Sequence, residues 1–151
     1  MKLKQLMTVH ADLQPPVMIG AGPFGVRVVF AVSGGTFEGE RLRGRVLPGG
    51  GDWMLIDSEG AGRLDVRIVL ETKDGALIYC QYPGVAENPQ AAQAAVERGK
   101  PLDYGETYFA TQPRFETGDE RYKWLNRLVA AGEGRVVAGA VEYRVFEVIP
   151  G

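Results

Sequence analysis

RLDVRIVLETKDGALIYCQY, residues 63–82, carries the reading on which the fold turns. From Arg63 to Glu71 the chain alternates: Leu64, Val66, Ile68 and Leu70 point one way, Asp65, Arg67, Val69 and Glu71 the other. A period of two is the mark of a half-buried strand. Lys73-Asp74-Gly75 then carries the Asp-Gly hairpin signal, and Ala76 to Tyr82 returns as the partner strand.

Working outward, Glu59-Gly60-Ala61-Gly62 is a turn that leads back to a strand over Asp52 to Asp57, itself preceded by the break Pro48-Gly49-Gly50-Gly51. Thr36 to Leu47 is a long segment interrupted by Gly39 and Gly44, positions that suit bulges or barrel corners. Gly34-Gly35 reads as the turn joining it to Val26–Ser33, a stretch with four valines. Gln14 to Gly25 is turn-rich, and Leu3 to Leu13 alternates as a first strand. Consecutive strands joined by tight turns imply antiparallel meander pairing.

Downstream, Asn88 suits an N-cap, Pro89 the first helical position, and Gly99 with Pro101 the end of a short surface helix. Glu106 to Phe115 reads as a strand. Thr117 and Glu120 have capping-box spacing for a second helix that includes Tyr122, Trp124 and Leu125. Leu128 and Val129 continue its period, while Gly132-Glu133-Gly134 equally suits a hairpin loop; Arg135 to Ile149 closes the chain as a strand. Eight or so strands with one or two short helices and no βαβ alternation define a mainly β chain. Its expected form is a small antiparallel β-barrel, because closure removes exposed sheet edges.

The 151 residues fit one domain, residues 1–151. Glycine is the compositional exception: 21 copies, about twice the average share, spread without a collagen period. The net charge is −2, and the densest basic stretch, Arg41 to Arg45, holds only three arginines, which argues against nucleic acid as a partner. Cys80 is the single cysteine and cannot form an intrachain disulfide. MKLKQLMTVHADLQPP at the N-terminus has neither a sustained apolar run nor a cleavage signal, so no membrane partner is expected and the cytoplasm is the expected location.

Gly20-x-Gly22-x-x-Gly25 matches the dinucleotide fingerprint in letters only: Pro23 lies inside it and a valine-rich strand follows where a helix is required. One histidine, His10, and one cysteine far from it make neither a catalytic triad nor a zinc site, so no cofactor and no metal is expected. The polar and aromatic residues on or beside strands are the remaining candidates. Asp52 and Glu116 are the candidate acid and base; Trp53, Arg67, Tyr79, Tyr108, Trp124 and Asn126 are the candidate ligand contacts. Asp52, Trp53, Glu116 and Trp124 fall beside turns and are expected to converge at one barrel rim. Arg67 joins them only if its strand face points inward. Should Leu64, Val66 and Ile68 take the interior, Asp65 and Arg67 lie outside and serve a subunit contact.

Three runs carry a family resemblance. The first is Gly34-Gly35-Thr36-Phe37-Glu38-Gly39 with Gly44-Arg45-Val46-Leu47-Pro48-Gly49-Gly50 and Asp52-Trp53. The second is Leu64-Asp65-x-Arg67 with Leu70-Glu71-Thr72-x-Asp74-Gly75-Ala76-x-Ile78-Tyr79. The third runs from Tyr108-Phe109-x-Thr111 through Phe115-Glu116-Thr117-Gly118-Asp119 to Trp124-Leu125-Asn126. Together they resemble the bacterial and fungal domain-of-unknown-function family 3237. The resemblance implies an allene-oxide-cyclase-like β-barrel, a fold group with cofactor-free cyclases and dirigent proteins, and it implies no assigned activity. Ala110 stands where an arginine is common, and Ile68 where a tyrosine is frequent.

The resulting expectation is a small-molecule-binding barrel acting as a cofactor-independent isomerase, cyclase or lyase on a small organic substrate. The alternatives are a non-catalytic ligand-binding barrel and an oligomeric structural barrel; a homo-oligomer is expected.

Overall fold

A computed structural model describes all 151 residues. The quoted stretch behaves as its alternation dictates: β6 (Gly62–Thr72) and β7 (Leu77–Ala86) pair from Gly62↔Ala86 to Glu71↔Leu77. Thr72 closes the hairpin between them, its Oγ1 accepting from Ala76 N at 2.8 Å. Leu64, Val66, Ile68 and Leu70 are buried together with Ile78, Cys80 and Tyr82 across the ladder. That decides the inner face.

The other strands are β1 (Lys2–Leu13), β2 (Val17–Gly22), β3 (Gly25–Glu38), β4 (Arg43–Val46) and β5 (Gly51–Ile56) before the hairpin. After it come β8 (Phe109–Thr111), β9 (Arg114–Glu116), β10 (Val129–Val137) and β11 (Ala140–Ile149). All pairings are antiparallel, and they close an 8-strand barrel. Around it run β6, the shared lane of β4 and β5, then β3, β1, β11, β10, the shared lane of β8 and β9, and β7, which meets β6 again. A cluster of 24 buried residues fills the interior.

Two glycine runs expected as turns are instead irregularities inside continuous walls. Gly34 and Gly35 lie within β3, opposite Asp12 and Ala11 of β1. Gly35 has φ +138, and a Cβ there would collide with the carbonyl oxygen of His10. Pro48 to Gly50 bulges between β4 and β5, yet stays tied to both neighbours: Leu47 N donates to Val69 O and Val32 N to Gly50 O, each at 2.9 Å. Glycine serves close approach here, where the sequence suggested reversal.

Three further segments differ from expectation. Gln14 to Gly25 holds β2, which continues the lane of β1 beyond Pro15-Pro16 and pairs only with β3. Gly132 and Gly134 lie inside β10, so β10 and β11 are two strands of a hairpin where one strand was expected. The strand expected over 106–115 is reduced to the short β8 and β9.

Both helices form. α1 (Pro89–Glu97) is capped by Asn88, whose Oδ1 accepts from Ala91 N at 3.0 Å, and it buries Ala92 and Ala95 beside β10. The second is a 3₁₀ helix over Glu120–Arg127, capped by Asp119 rather than Thr117. It covers a gap in the wall, because β9 pairs with β7 while β10 pairs only with β8 and β11. Leu125, 1% exposed, plugs that gap.

Gly35→Ala should destabilise the fold by about 3 kcal/mol or more, since both φ and the His10 carbonyl oppose a Cβ. Gly118→Ala, with open space around it, should stay within about 0.5 kcal/mol. Urea denaturation of the two variants checks this; equal losses would refute the close-approach account.

Candidate functional site

Inside the barrel the alternation that buries Leu64 and Val66 also buries a carboxyl. Asp52 pairs with Phe30 on one side and Val66 on the other, so its side chain points into the lumen and is 9% exposed. It does not lie at a rim. β4 and β5 share one lane, which puts Asp52 about midway along the wall, four residues short of Ile56 at the α1 end.

Its Oδ1 accepts from Asp65 N at 3.0 Å, replacing a backbone ladder bond at that point. Burial holds the proton on this carboxyl and pushes its pKa up to about 6, against the lowering effect of the Asp65 N–H. Tyr82 and Tyr143 face the same interior with ring centroids 5.3 Å apart in edge-to-face geometry, and Phe109 continues the stack at 5.7 Å from Tyr143. Burial keeps both phenols protonated well above their ordinary range, reinforced for Tyr82 by the neighbouring Tyr143 phenol and for Tyr143 by the Asp52 charge. Burial likewise pushes the Cys80 thiol up to about 12, so it is no nucleophile at neutral pH.

Next to these groups is a cavity of about 10 Å³, lined by Cys80, Tyr82, Thr111 and Tyr143 among apolar side chains. That is room for about one water molecule. The Thr111 hydroxyl is buried there without a hydrogen-bond partner in the protein. The lumen therefore combines one titratable carboxyl, two neutral phenol donors and one orphan hydroxyl in an otherwise apolar, largely filled space. Chemically it can hold or move a proton and donate hydrogen bonds to an oxygen.

The remaining candidates do not join Asp52. Trp53 and Arg67 lie on the outer wall, the guanidinium 5.6 Å from the indole centroid and 3.7 Å from Asp65 Oδ1. The apolar residues of β6 take the interior, so Arg67 points outward. Tyr79, Glu116 and Asn126 do come together, on the outer surface near the 3₁₀ helix. There they line an open groove of about 550 Å³ with Val69, Leu77 and Thr117. Within it Asn126 is a brace: its Oδ1 accepts from Thr117 N at 2.9 Å and its Nδ2 donates to Thr117 O at 3.0 Å. Trp124 packs beside the core under the Arg41 guanidinium, 3.5 Å from its ring centroid. Tyr108 is exposed near the start of β8. The eight candidates are thus spread over the lumen, the outer groove and other parts of the outer surface, and the expected convergence at one rim does not occur.

The sequence reading passed over Tyr82, Thr111 and Tyr143. Tyr82 was within reach, because the Asp-Gly hairpin register sets it opposite Val66 on the inner face. Nothing local marks Thr111 or Tyr143. His10 is on the outer face, its Nδ1 2.8 Å from Glu142 Oε2 and its Nε2 3.1 Å from Asp12 Oδ1; hydrogen bonding to Glu142 above all raises its pKa.

A closed antiparallel barrel with a carboxyl and phenols inside it is the class this chain represents. It belongs to the DUF3237 family, described as protein of unknown function, whose model matches residues 1–148. A UPF0311 protein of Rhodopseudomonas palustris is 32% identical over 149 residues, covering 99% of this chain and 97% of that one. A β-barrel-like protein of Acinetobacter baumannii is 35% identical with a TM-score of 0.81, covering 97% of this chain and 94% of that chain. An enzyme from Penicillium herquei, 22% identical over 97% of this chain and 94% of its own, has a TM-score of 0.70 and shares the fold.

Raised in the folded state from 3.8 to about 6, the Asp52 pKa makes ionisation oppose folding. Its contribution is unimpaired below about pH 4, falls as pH rises through 6, and levels off at a cost of up to about 3 kcal/mol. Asp52→Asn keeps an acceptor for Asp65 N and cannot ionise. The variant should therefore exceed the native chain in stability by about 1–3 kcal/mol at pH 8, with the difference shrinking toward zero near pH 3.5. Thermal denaturation at the two pH values checks the sign.

Proposed function

We propose that this protein binds a small, partly apolar organic molecule inside the barrel and moves a proton on it, with Asp52 as the acid–base group. The observation that carries the reading is a buried carboxyl with a single protein hydrogen bond. An asparagine would accept the same backbone N–H at no ionisation cost, so the carboxyl has value here chiefly as something that titrates. A carboxyl poised near pH 6 suits proton transfer at neutral pH. The Tyr82 and Tyr143 hydroxyls, kept neutral by burial, are donors suited to an oxygen that gains charge as the proton leaves.

The reaction class consistent with these groups is cofactor-independent isomerisation or elimination next to a carbonyl. A substrate larger than a water molecule enters by displacing rim side chains. Leu13, Ile56 and Val136 are partly exposed where they pack on the core toward the α1 end, which supports entry from that end.

A second reading has its own support. The outer groove is already of ligand size and gathers Tyr79, Glu116 and Asn126, so a non-catalytic ligand site there needs no opening of the barrel.

Native mass spectrometry of freshly purified protein should show a co-purifying small molecule. A panel of small carbonyl compounds in D₂O should then reveal deuterium uptake by NMR. Asp52→Asn should slow that exchange by about 100-fold or more, whereas Glu116→Gln should leave it unchanged. Binding lost in Glu116→Gln but retained in Asp52→Asn, with no exchange, would favour the groove.

A further inference from the structure

The pairing registers set three groove residues in one outward row: Val69 of β6 opposite Tyr79 of β7, and Tyr79 opposite Glu116 of β9. The row spans about 10 Å, at ~4.8 Å from strand to strand, and is apolar at one end and a carboxylate at the other. Leu77, 54% exposed, widens the apolar part. The Glu116 carboxylate has neither an ion-pair nor a hydrogen-bond partner in the protein. The next row along the strands holds Arg67, Gln81 and Arg114. Arg67 turns to Trp53 and Asp65, and Arg114 makes no ion pair with Glu116. Beyond Thr117, Asp74 and Asp119 share one arginine, Arg121.

The hydroxyl protons of the groove are already engaged. Tyr79 donates to Gln81 Oε1 at 3.2 Å and Thr117 to Leu77 O at 2.8 Å, while the Asn126 amide donates to Thr117 O. We propose that the groove binds a small organic cation, with its ammonium on Glu116 and its apolar body over Tyr79 and Val69. The inference rests on reading the groove as a ligand site. An ammonium brings donor hydrogens to the unpartnered carboxylate, and the Tyr79 ring beside it adds a cation–π contact. The length of the row suits an arylalkyl amine. A neutral analogue forfeits the ion pair, and an anion is repelled by Glu116.

NMR titration of the full chain with three probes of one skeleton tests this: phenethylammonium, phenethyl alcohol and hydrocinnamate. The cation should shift the amides of Val69, Tyr79 and Glu116 and bind about five- to tenfold more tightly than the alcohol, with the carboxylate weakest. Glu116→Gln should bring cation and alcohol to equal affinity. Leu77→Lys, at an exposed position, should abolish binding of the cation with the melting temperature nearly unchanged. Alcohol or carboxylate bound in the groove as tightly as the cation, or a cation preference that survives Glu116→Gln, would overturn the cation and leave the groove a ligand site. No shift of these amides with any probe would overturn both. So would groove amides that shift with protein concentration alone, since a second chain would then cover the groove.

Discussion

The ladder between β6 and β7 turns a sheet into a barrel, and the narrowness of that closure governs the interior. Side chains from all eight walls must share one lumen, so bulk on one strand requires its absence on the next. β10 shows this trade directly. A Cβ on Gly134 would strike the Phe109 ring, and one on Gly132 would strike the Thr111 hydroxyl, both from neighbouring β8. The glycines make room for the aromatic stack of Phe109, Tyr143 and Tyr82. In so full a space the Asp52 carboxyl and the Thr111 hydroxyl are costly occupants.

The outer surface obeys a looser economy. Exposed ion pairs such as Arg45–Glu71 and Arg63–Asp57 add little to stability individually. Where they converge on an aromatic ring they position a segment. Tyr104 lies 4.4 Å from the Arg135 guanidinium and 4.2 Å from that of Arg144, which docks the loop before β8 on the wall. At the split between β9 and β10, Asp74 gathers the Thr72 hydroxyl at 2.5 Å, the Tyr122 hydroxyl at 2.9 Å and Arg121 at 3.2 Å. These contacts fasten the 3₁₀ helix to the β6–β7 hairpin and keep Leu125 in the gap.

The fold was legible where side-chain pattern decides it. Arg63 to Glu71 alternates cleanly and has one apolar face, so strand, hairpin and inner face all follow. The glycine runs were not legible, because the same residue serves a reversing turn and a close backbone approach. Only the neighbouring strand tells them apart: His10 for Gly35, Arg67 and Ile68 for Gly50. The site suffered from the same gap. Asp52 follows Pro48–Gly51, and reading that run as a turn moved the residue to a rim, whereas as a bulge it leaves Asp52 deep in the lumen. Glu116 and Asn126 lie together in the outer groove, only ten residues apart in the chain. Their separation from Asp52 depends on which face of the wall each occupies, and Glu116 takes the outer one.

Two places in this chain contradict the local rules that the rest obeys: a carboxyl where the core is apolar, and the uncharged apolar arm of β2, with Val17, Met18 and Ile19 exposed, where the surface should be polar. Such departures concentrate where a protein acts rather than merely folds. They meet on β3. Phe30 pairs with Asp52, and the preceding residues, Val26 to Val29, pair with β2 on one side and β5 on the other. From Asp52 to the end of β5 at Ile56 is about 13 Å along the strand at ~3.3 Å per residue. The wall above the carboxyl is therefore the same stretch of β3 that carries the arm. The apolar arm and the wall above Asp52 are thus built on the same four residues of one strand, Val26 to Val29.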